Sequence, residues 1–468
     1  MGDVARTSTK TNMALALSAQ LVVLLVGVVK SLLLPHAMDV SSYAYWQQYL
    51  LYAGFVGIFA LGFNDGVYLL YGDKDYDELP FGRLRAAFRL YCLMLGIISL
   101  VVGLYAWTIP DPSRSFAFLF VAIDIFIACV SGLFIYVLQI TNQFKWYSIC
   151  TIADKVVFIA LAVALIFGNL VDFRLFIVMD VLSRVVALAL ICWRCRRLVV
   201  GPRDSLTAGL RETVRDIRVG ISLMFANFAS MLTTNLGRFV IDLFGGLANY
   251  AFYSFGMSVT NLVLTFVSAA GTVLYPALKR IDEANLAGYY RKIDKGVLAV
   301  GCVGLAMYFP VQVAISLFYA KYAPVLSYLN ILFLAAFFQA KMTLLVNTFY
   351  KTLRMEKRLF AVNAQCVVGF ALLALLTYGT THDVWWVAMS TAVTAGARCV
   401  WSELELSSRL RVGVRRTLAF QIVAAALFFA LSSFVPVVAA APGFVVSLVA
   451  LAFFAKKAPS GVFGGESK

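Results

Sequence analysis

Charge is what this sequence is shortest of. Asp, Glu, Lys and Arg make up 13% of its 468 residues, where a soluble globule carries about a quarter. That shortfall, with 62% hydrophobic residues and a mean hydropathy of +0.87, makes lipid the solvent for most of the chain. Histidine is almost missing: His36 and His382 are the two present, and they leave no histidine-based metal or catalytic constellation. Eight cysteines are scattered singly except for Cys192-Trp193-Arg194-Cys195. A lone CxxC without a second pair does not make a zinc site. The cysteines are therefore read as reduced and structural, and neither metal nor cofactor is expected. No Walker A glycine loop occurs, so nothing points to ATP hydrolysis.

Long apolar runs are what the chain has instead. Stretches of roughly 20 apolar residues read as membrane crossings. Fourteen are found, near residues 12–35, 43–64, 86–108, 115–139, 147–168, 174–194, 219–244, 248–276, 297–318, 325–349, 359–379, 384–402, 417–437 and 442–456. The expected fold class is an all-α integral membrane protein of about 14 transmembrane helices. With the N-terminus inside, the inner segments hold 31 of the 39 basic residues, and the outer loops hold only Arg114, Arg174 and Lys321. Cytoplasmic loops retain Lys and Arg in this way, so both termini are expected in the cytoplasm. The formal charge of +15 is then a sorting signal and an attraction for anionic lipid, not a nucleic-acid footprint. The first span exceeds a signal-peptide core and a second follows directly, so it is expected to be retained. Arg6 spoils a myristoylation pattern.

Spans one to six and seven to twelve follow one plan. "LQITNQFKWYSICTIADKVVFIALA" (138–162) and "YKTLRMEKRLFAVNAQCVVGFALLA" (350–374) each run a basic polar turn into an apolar helix. Six spans per half make the repeat parallel, about an axis along the membrane normal. The expected organisation is a bundle over 1–194, a basic cytoplasmic linker helix over 195–218, a second bundle over 219–412, and an added helix pair with tail over 413–468. Two bundles with a cavity between them suit alternating access, which argues for a transporter before an enzyme.

A charge at mid-bilayer costs about 2.5–3.5 kcal/mol on insertion scales. The basic residues Lys30, Lys155, Arg184, Arg238 and Lys341 and the acids Asp124, Asp154, Asp180 and Asp242 nevertheless fall inside spans, a surplus of one cation. Asp180 with Arg184, and Arg238 with Asp242, stand four apart, so each pair can meet on one helix face. Asp154 and Lys155 are adjacent and are expected to point apart. Lys30 and Lys341 have no acid within a helical turn. Each is paired elsewhere, deprotonated by desolvation, snorkelled, or faces a wet cavity that binds an anion. Lys30 and Arg238 each lie 19 residues into corresponding spans, and matched cations suit an anionic substrate gripped between the lobes. Lys341, beside Gln339 and above Asn347, is the third such candidate. Gln20, Asn227, Asn235 and "SAAGTV" (268–273) either line a cavity or pack helices closely.

Asn64-Asp65-Gly66 closes the second span ahead of a loop with Asp73, Asp75, Asp77 and Glu78, whose solvated acids face Arg83, Arg85 and Arg89 in sequence. A break or bend is expected at this tripeptide. Asp65 either caps it or acts as a gate contact or cation site. Asp65, Asp124, Asp154, Asp180 and Asp242 are the candidate ion-coupling or gate acids.

"YWQQYLLYAGFVGIFALGFNDGVYLLYGDKDYDEL", "GRFVIDLFGGLANYAFYSFGMSVTNLVLTFVSAAGTVLYPALKR" and "YVLQITNQFKWYS" resemble the polysaccharide-transporter branch of the multidrug/oligosaccharidyl-lipid/polysaccharide exporter superfamily. These are Wzx-like flippases of O-antigen and capsule units. The resemblance spans the chain in span count and repeat plan, with a "GxxDG" near the end of span two and a "GRF…YSF…YPxLxR" track over spans seven and eight. It implies transfer of an undecaprenyl-pyrophosphate-linked oligosaccharide from the inner to the outer leaflet of a bacterial cytoplasmic membrane. It also implies a cationic cavity built on Lys30, Arg238 and Lys341, with Lys155 and Arg184 second. Membrane lipid, a glycan polymerase and other export components are the implied partners. Fourteen spans is nearer the lipid II flippase arrangement than the twelve usual in this branch. A peptidoglycan precursor, a teichoic-type glycan and a capsule unit therefore all stay open.

Three rivals are weighed, one of them a non-transporting scaffold, which would not need intramembrane cations. A cation-coupled drug exporter wants an acidic cavity, against the cation surplus. A membrane enzyme of glycan assembly needs an acid, base or nucleophile on a roomy loop. The outer loops are short, and their one ionisable pair, His382-Asp383, precedes Trp385-Trp386 as an interfacial anchor would.

Overall fold

The computed structural model describes residues 21–72, 74–202, 204–278, 283–353 and 355–457, without the side chains of 263, 266–278, 283, 284, 356 and 451–457. Gln20, Asp73 and the side chains of 268–273 lie outside these described residues. Every regular element among them is helical. The first unit, Met1–Phe228, holds α1 (Leu21–Ala37), α2 (Val40–Phe55), α3 (Phe63–Leu70), α4 (Phe81–Trp107), α5 (Pro112–Ile140), α6 (Phe144–Phe167), α7 (Phe173–Arg194) and the single turn α8 (Arg196–Val199). Helix α9 (Leu206–Phe244) continues into the second unit, Ala229–Lys468. There follow α10 (Leu247–Leu278), α11 (Glu283–Ala306), α12 (Tyr308–Phe318), α13 (Leu329–Lys341), α14 (Asn347–Thr352), α15 (Glu356–Thr381), α16 (Val384–Leu410), α17 (Arg415–Phe434) and α18 (Val437–Lys457).

Helix stands at each of the fourteen apolar stretches, in its described part. Among the described residues nine helices are long and apolar enough to cross a membrane, or ten if a bent pair counts as one span. The chain is a multi-pass, all-helical membrane protein. Four acids in loops expected on the outer side serve as local helix caps. Asp39, Asp111, Asp172 and Asp383 each accept from backbone N–H groups at the start of α2, α5, α7 and α16. Such caps satisfy helix-end donors that have no partner within the helix. At Asp39 burial pushes the carboxyl up, but hydrogen bonds from Ser42 and Ser41 outweigh it and hold the group below the usual carboxylate range.

In the first unit α5 is the central helix, packed by α2, α3, α4, α6 and α7. The bent pair is α2 with α3. The 3-10 turn Val56–Ala60 ends α2, and the chain then turns 57° into α3. Leu61 and Gly62 make the turn with φ of 50° and 83°, a left-handed conformation natural to glycine. The break therefore precedes Asn64-Asp65-Gly66, which forms the first turn of α3 and not the break itself. A Cβ at Gly66 would overlap the backbone of Asp216, and one at Gly220 the carbonyl of Gly62. The α3–α9 crossing closes because these residues have no side chain.

Helix α9 has 39 residues, about 58 Å at 1.5 Å per residue, against roughly 30 Å of hydrocarbon. Of the linker expected as a separate helix over 195–218, residues 206–218 are thus the first part of α9. The two units divide inside α9, between Phe228 and Ala229, and not at residue 219.

In the second unit α13 is central, among α10, α11, α16 and α17. Of the span Leu329–Thr352, 83% is buried, so polar side chains on it are shielded from lipid. The last helix pair belongs to this unit. Phe428 of α17 and Phe444 of α18 are fully buried against Tyr308 and Phe309. The Asn330 amide on α13 donates to Ser432 and Ser433 at 3.1 and 2.9 Å.

Candidate functional site

The six charges expected inside the first six spans come together as one network. Lys30 Nζ lies 2.7 Å from Asp180 Oδ1, and Asp180 Oδ2 lies 2.9 Å from Arg184 Nη2 on the next turn of α7. Arg184 Nη1 reaches Asp124 of α5 at 2.5 Å. Tyr49 donates to Asp180 at 3.0 Å, and Ser183 donates to Asp154 at 3.0 Å. Lys155 Nζ closes on Asp154 at 2.5 Å. Three cations thus face three carboxylates, which lowers the cost of holding each in the membrane.

One expectation is corrected here, and of the alternatives left open for Lys30 the structure shows pairing elsewhere in the chain. Asp154 and Lys155 meet although adjacent, because the lysine stem is long enough to fold its head back. Lys30 is neither snorkelled nor unpaired: its acid lies 150 residues away in sequence. The ammonium also sits 3.8 Å from the ring centre of Phe158 and 4.9 Å from that of Trp46, where the ring faces attract a cation. The four-apart pair Asp180–Arg184 forms as the helical spacing implied.

A cavity of about 360 Å³ opens among α5, α6 and α7 beside this network. Lys155, Arg184 and Asp154 line it with Ser131, Thr151 and Cys150. Its charged wall thus carries two cations and one acid. The side chains of Lys155 and Arg184 keep 33% and 23% of their surface exposed. Asp65 lies apart from the network, buried in the first turn of α3 with Tyr136 hydrogen-bonded to it. Asn64 donates to the carbonyl of Cys129 at 2.9 Å. Across the glycine crossing, Asp216 is fully buried, and neither of its carboxylate oxygens has a hydrogen-bond partner among the described residues. Tyr71 donates to Glu212 one helical turn earlier.

In the second unit Lys341 is 2% exposed. It meets Asp294 of α11 at 2.8 Å, Glu403 of α16 at 2.8 Å and Gln421 of α17 at 2.6 Å. Of the three ammonium hydrogens, Glu403 and Gln421 accept two, and Asp294 adds a second carboxylate at ion-pair distance. Cys399 donates to Glu403 at 3.1 Å, and a π-turn, Met342–Val346, follows Lys341 directly. The expectation of an anion-binding Lys341 is corrected: two buried carboxylates already occupy it. Arg238 and Asp242 are also buried. Arg238 Nη2 donates to the carbonyl of Ser254 at 3.3 Å, so the matched positions of Lys30 and Arg238 have unlike surroundings. Asn227 is exposed, and Asn235 donates back to its own helix.

Six buried charges were missed by placing them in inner segments: Arg85, Glu212, Asp216, Asp294, Arg398 and Glu403. Helix α11 starts before, and α16 ends after, the expected span. A signal was present, since Cys399, Ser402, Glu403 and Leu406 share one face at helical spacing and all four are buried.

Residues 84–282 match the family model described as polysaccharide biosynthesis protein. The lipid II flippase MurJ, in an inward closed conformation, is similar over 96% of this chain and 98% of its own at 12% identity, with a TM-score of 0.57. A multidrug resistance MATE family transporter of the MOP superfamily is similar in two conformations. The inward-facing one is 15% identical over 83% of this chain and 99% of its own, and the outward-facing one 14% over 85% and 95%, each with a TM-score of 0.57. No curated protein sequence matches the chain. The likeness to solved structures is one of fold, and with the family match it supports the polysaccharide-transporter resemblance seen in the residues.

Proposed function

We propose, for a chain with a MOP-superfamily transporter fold and a match to the polysaccharide biosynthesis family, that it is a flippase. Its substrate is a polyprenyl-pyrophosphate-linked oligosaccharide, a surface polysaccharide repeat unit, moved from the inner to the outer leaflet by alternating access. The membrane is the bacterial cytoplasmic membrane, with both termini inside, and a glycan polymerase acts on the product.

One observation carries this reading: Lys155 and Arg184 stand on the wall of the 360 Å³ cavity, each still partly exposed. Cations on such a wall bind phosphate oxygens through charge-assisted hydrogen bonds, and the guanidinium fork matches two at once. Asp124, Asp154 and Asp180 act as counter-ions that hold these side chains in place between substrates. Lys30 keeps Asp180 shared, so Arg184 is not locked to it. Arg238 remains a second anion contact in this proposal, whereas Lys341 is left out because two buried carboxylates already occupy it. Asp65 and Asp242 are the remaining gate acids.

The test is complementation in a strain lacking its own flippase, with Lys155→Ala and Arg184→Ala. Both variants are expected to reach the membrane while surface glycan is lost and the lipid-linked unit accumulates inside. Normal surface glycan in both would remove the cavity cations from substrate binding and sink the proposal.

A further inference from the structure

Helix α9 carries its charges before its apolar part begins: Arg211, Glu212, Arg215, Asp216 and Arg218. From Val219 to Gly237 there is none. That uncharged stretch is of span length, so residues 206–218 stand beyond the hydrocarbon and run into the span as one unbroken helix. Their two acids are turned inward, Glu212 being 5% exposed and Asp216 fully buried. The three arginines are exposed. Arg215 lies 3.5 Å from Glu212, while Arg211 and Arg218 have no carboxylate at ion-pair distance among the described residues.

At about 100° per residue, the exposed surface of this segment divides into two stripes. Leu206, Leu210 and Val214 fall within about 80° of one another and keep 71%, 56% and 56% of their surface exposed. Arg211, Arg215 and Arg218 fall within about 60° of one another beside them. A helix face turned to water mixes charges of both signs and does not bare apolar side chains at successive turns. An apolar stripe flanked by cations alone is the surface of a helix lying against a bilayer. Trp193, 62% exposed at the end of α7 on the same side of the membrane, is a side chain that favours the headgroup layer. Arg85 holds the connection in place by donating to the carbonyl of Arg197 at 2.7 Å.

We propose that residues 206–218 are an interfacial anchor for anionic phospholipid in the leaflet where α9 begins. Arg211, Arg215 and Arg218 meet headgroup phosphates through charge-assisted hydrogen bonds, and Leu206, Leu210 and Val214 enter the acyl layer. The inward acids keep repulsive charge off this surface. The helix crosses α3 at Gly66 and Gly220, so lipid held here steadies that crossing. This surface is independent of the glycan reading, and its test uses no transport assay.

The full-length protein in neutral detergent is titrated with phosphatidylglycerol or phosphatidylcholine and unfolded thermally. Phosphatidylglycerol is expected to raise Tm saturably over phosphatidylcholine. Arg211→Gln and Arg218→Gln each raise the half-saturating phosphatidylglycerol by about fivefold, the size of one arginine at an anionic surface. Arg215→Gln raises it by less, because Glu212 shares that guanidinium. Leu210→Ser combined with Val214→Ser keeps every charge and also weakens the response. Removing the same charge at exposed positions of unit 2, by Arg409→Gln, Arg411→Gln and Arg416→Gln together, leaves it unchanged. Equal Tm in the two lipids would mean that the face is solvated or meets a protein, and would overturn the proposal. An equal loss in the unit 2 variant would reduce the effect to net charge and overturn it too. A shift of the same size with soluble glycerol phosphate would make the arginines a free-phosphate site and overturn the lipid anchor.

Discussion

Unit 1 strings its intramembrane charges from Lys30 through Asp180, Arg184 and Asp124 to Asp154 and Lys155, and leaves the cavity end open. Unit 2 closes Lys341 on Asp294, Glu403 and Gln421 and leaves Arg398 without a carboxylate. Exposure separates the two. The Lys341 side chain is 3% exposed, that of Lys155 33%. An ion pair with no solvent access gains from geometry alone and fixes how helices meet. One on a cavity wall keeps part of its charge exposed, which the proposed function assigns to an incoming anion. The same residue types therefore form a sealed cluster in one unit and, in the proposed function, a substrate contact in the other.

Breaking the sealed cluster is expected to have the largest effect. Lys341→Met leaves Asp294 and Glu403 buried against each other, and removing one partner of a buried pair costs about 3–5 kcal/mol. Loss of the protein from the membrane fraction, or a large drop in Tm, is the readout. Adding Asp294→Asn and Glu403→Gln should recover most of it. A Lys341→Met protein of normal Tm would show that the cluster is not sealed. Next comes Arg184→Lys, which keeps a cation for Asp180 and Asp124 but loses the fork. Tm should fall by what about 1–2 kcal/mol produces, while surface glycan falls at least tenfold. Equal retention of both would make Arg184 structural, like Lys341.

Gly66→Ala forces a Cβ into the Asp216 backbone, an overpacking worth about 1–3 kcal/mol. It should increase thiol labelling of a cysteine placed at the exposed Tyr68. Unchanged labelling would mean that the crossing yields without opening. Smallest is Asn330→Ala, which frees α17 from α13 at about 1 kcal/mol. Limited proteolysis between α16 and α17 should accelerate slightly, with unit 1 fragments unaffected.

The helices were legible because an apolar run of span length dictates a helix whatever its neighbours. The Asp180–Arg184 pair was legible for a similar reason, since helical spacing alone brings it together. Lys30 with Asp180 was not, because nothing local marks a partner 150 residues away. Arg398 and Glu403 were misplaced because basic residues served to mark the loops, and that rule carries no information about depth. Asp39, Asp111, Asp172 and Asp383 could have been read as caps, each standing just before an apolar run. The cavity beside Lys155 depends on how α5, α6 and α7 splay, which no spacing encodes.

Lys341 is completed from the far side of the chain. Asp294 precedes it in synthesis, but Glu403 and Gln421 follow by 62 and 80 residues. Helix α13 must therefore enter the bilayer with one counter-charge in hand and two ammonium hydrogens still unanswered. Until α16 and α17 emerge from the ribosome, that helix has reason to stay beside the translocon, where water and protein groups can serve it. The order of insertion is thus written into the cluster, and a chain stopped before residue 413 would lack Gln421 and hold this lysine only partly satisfied.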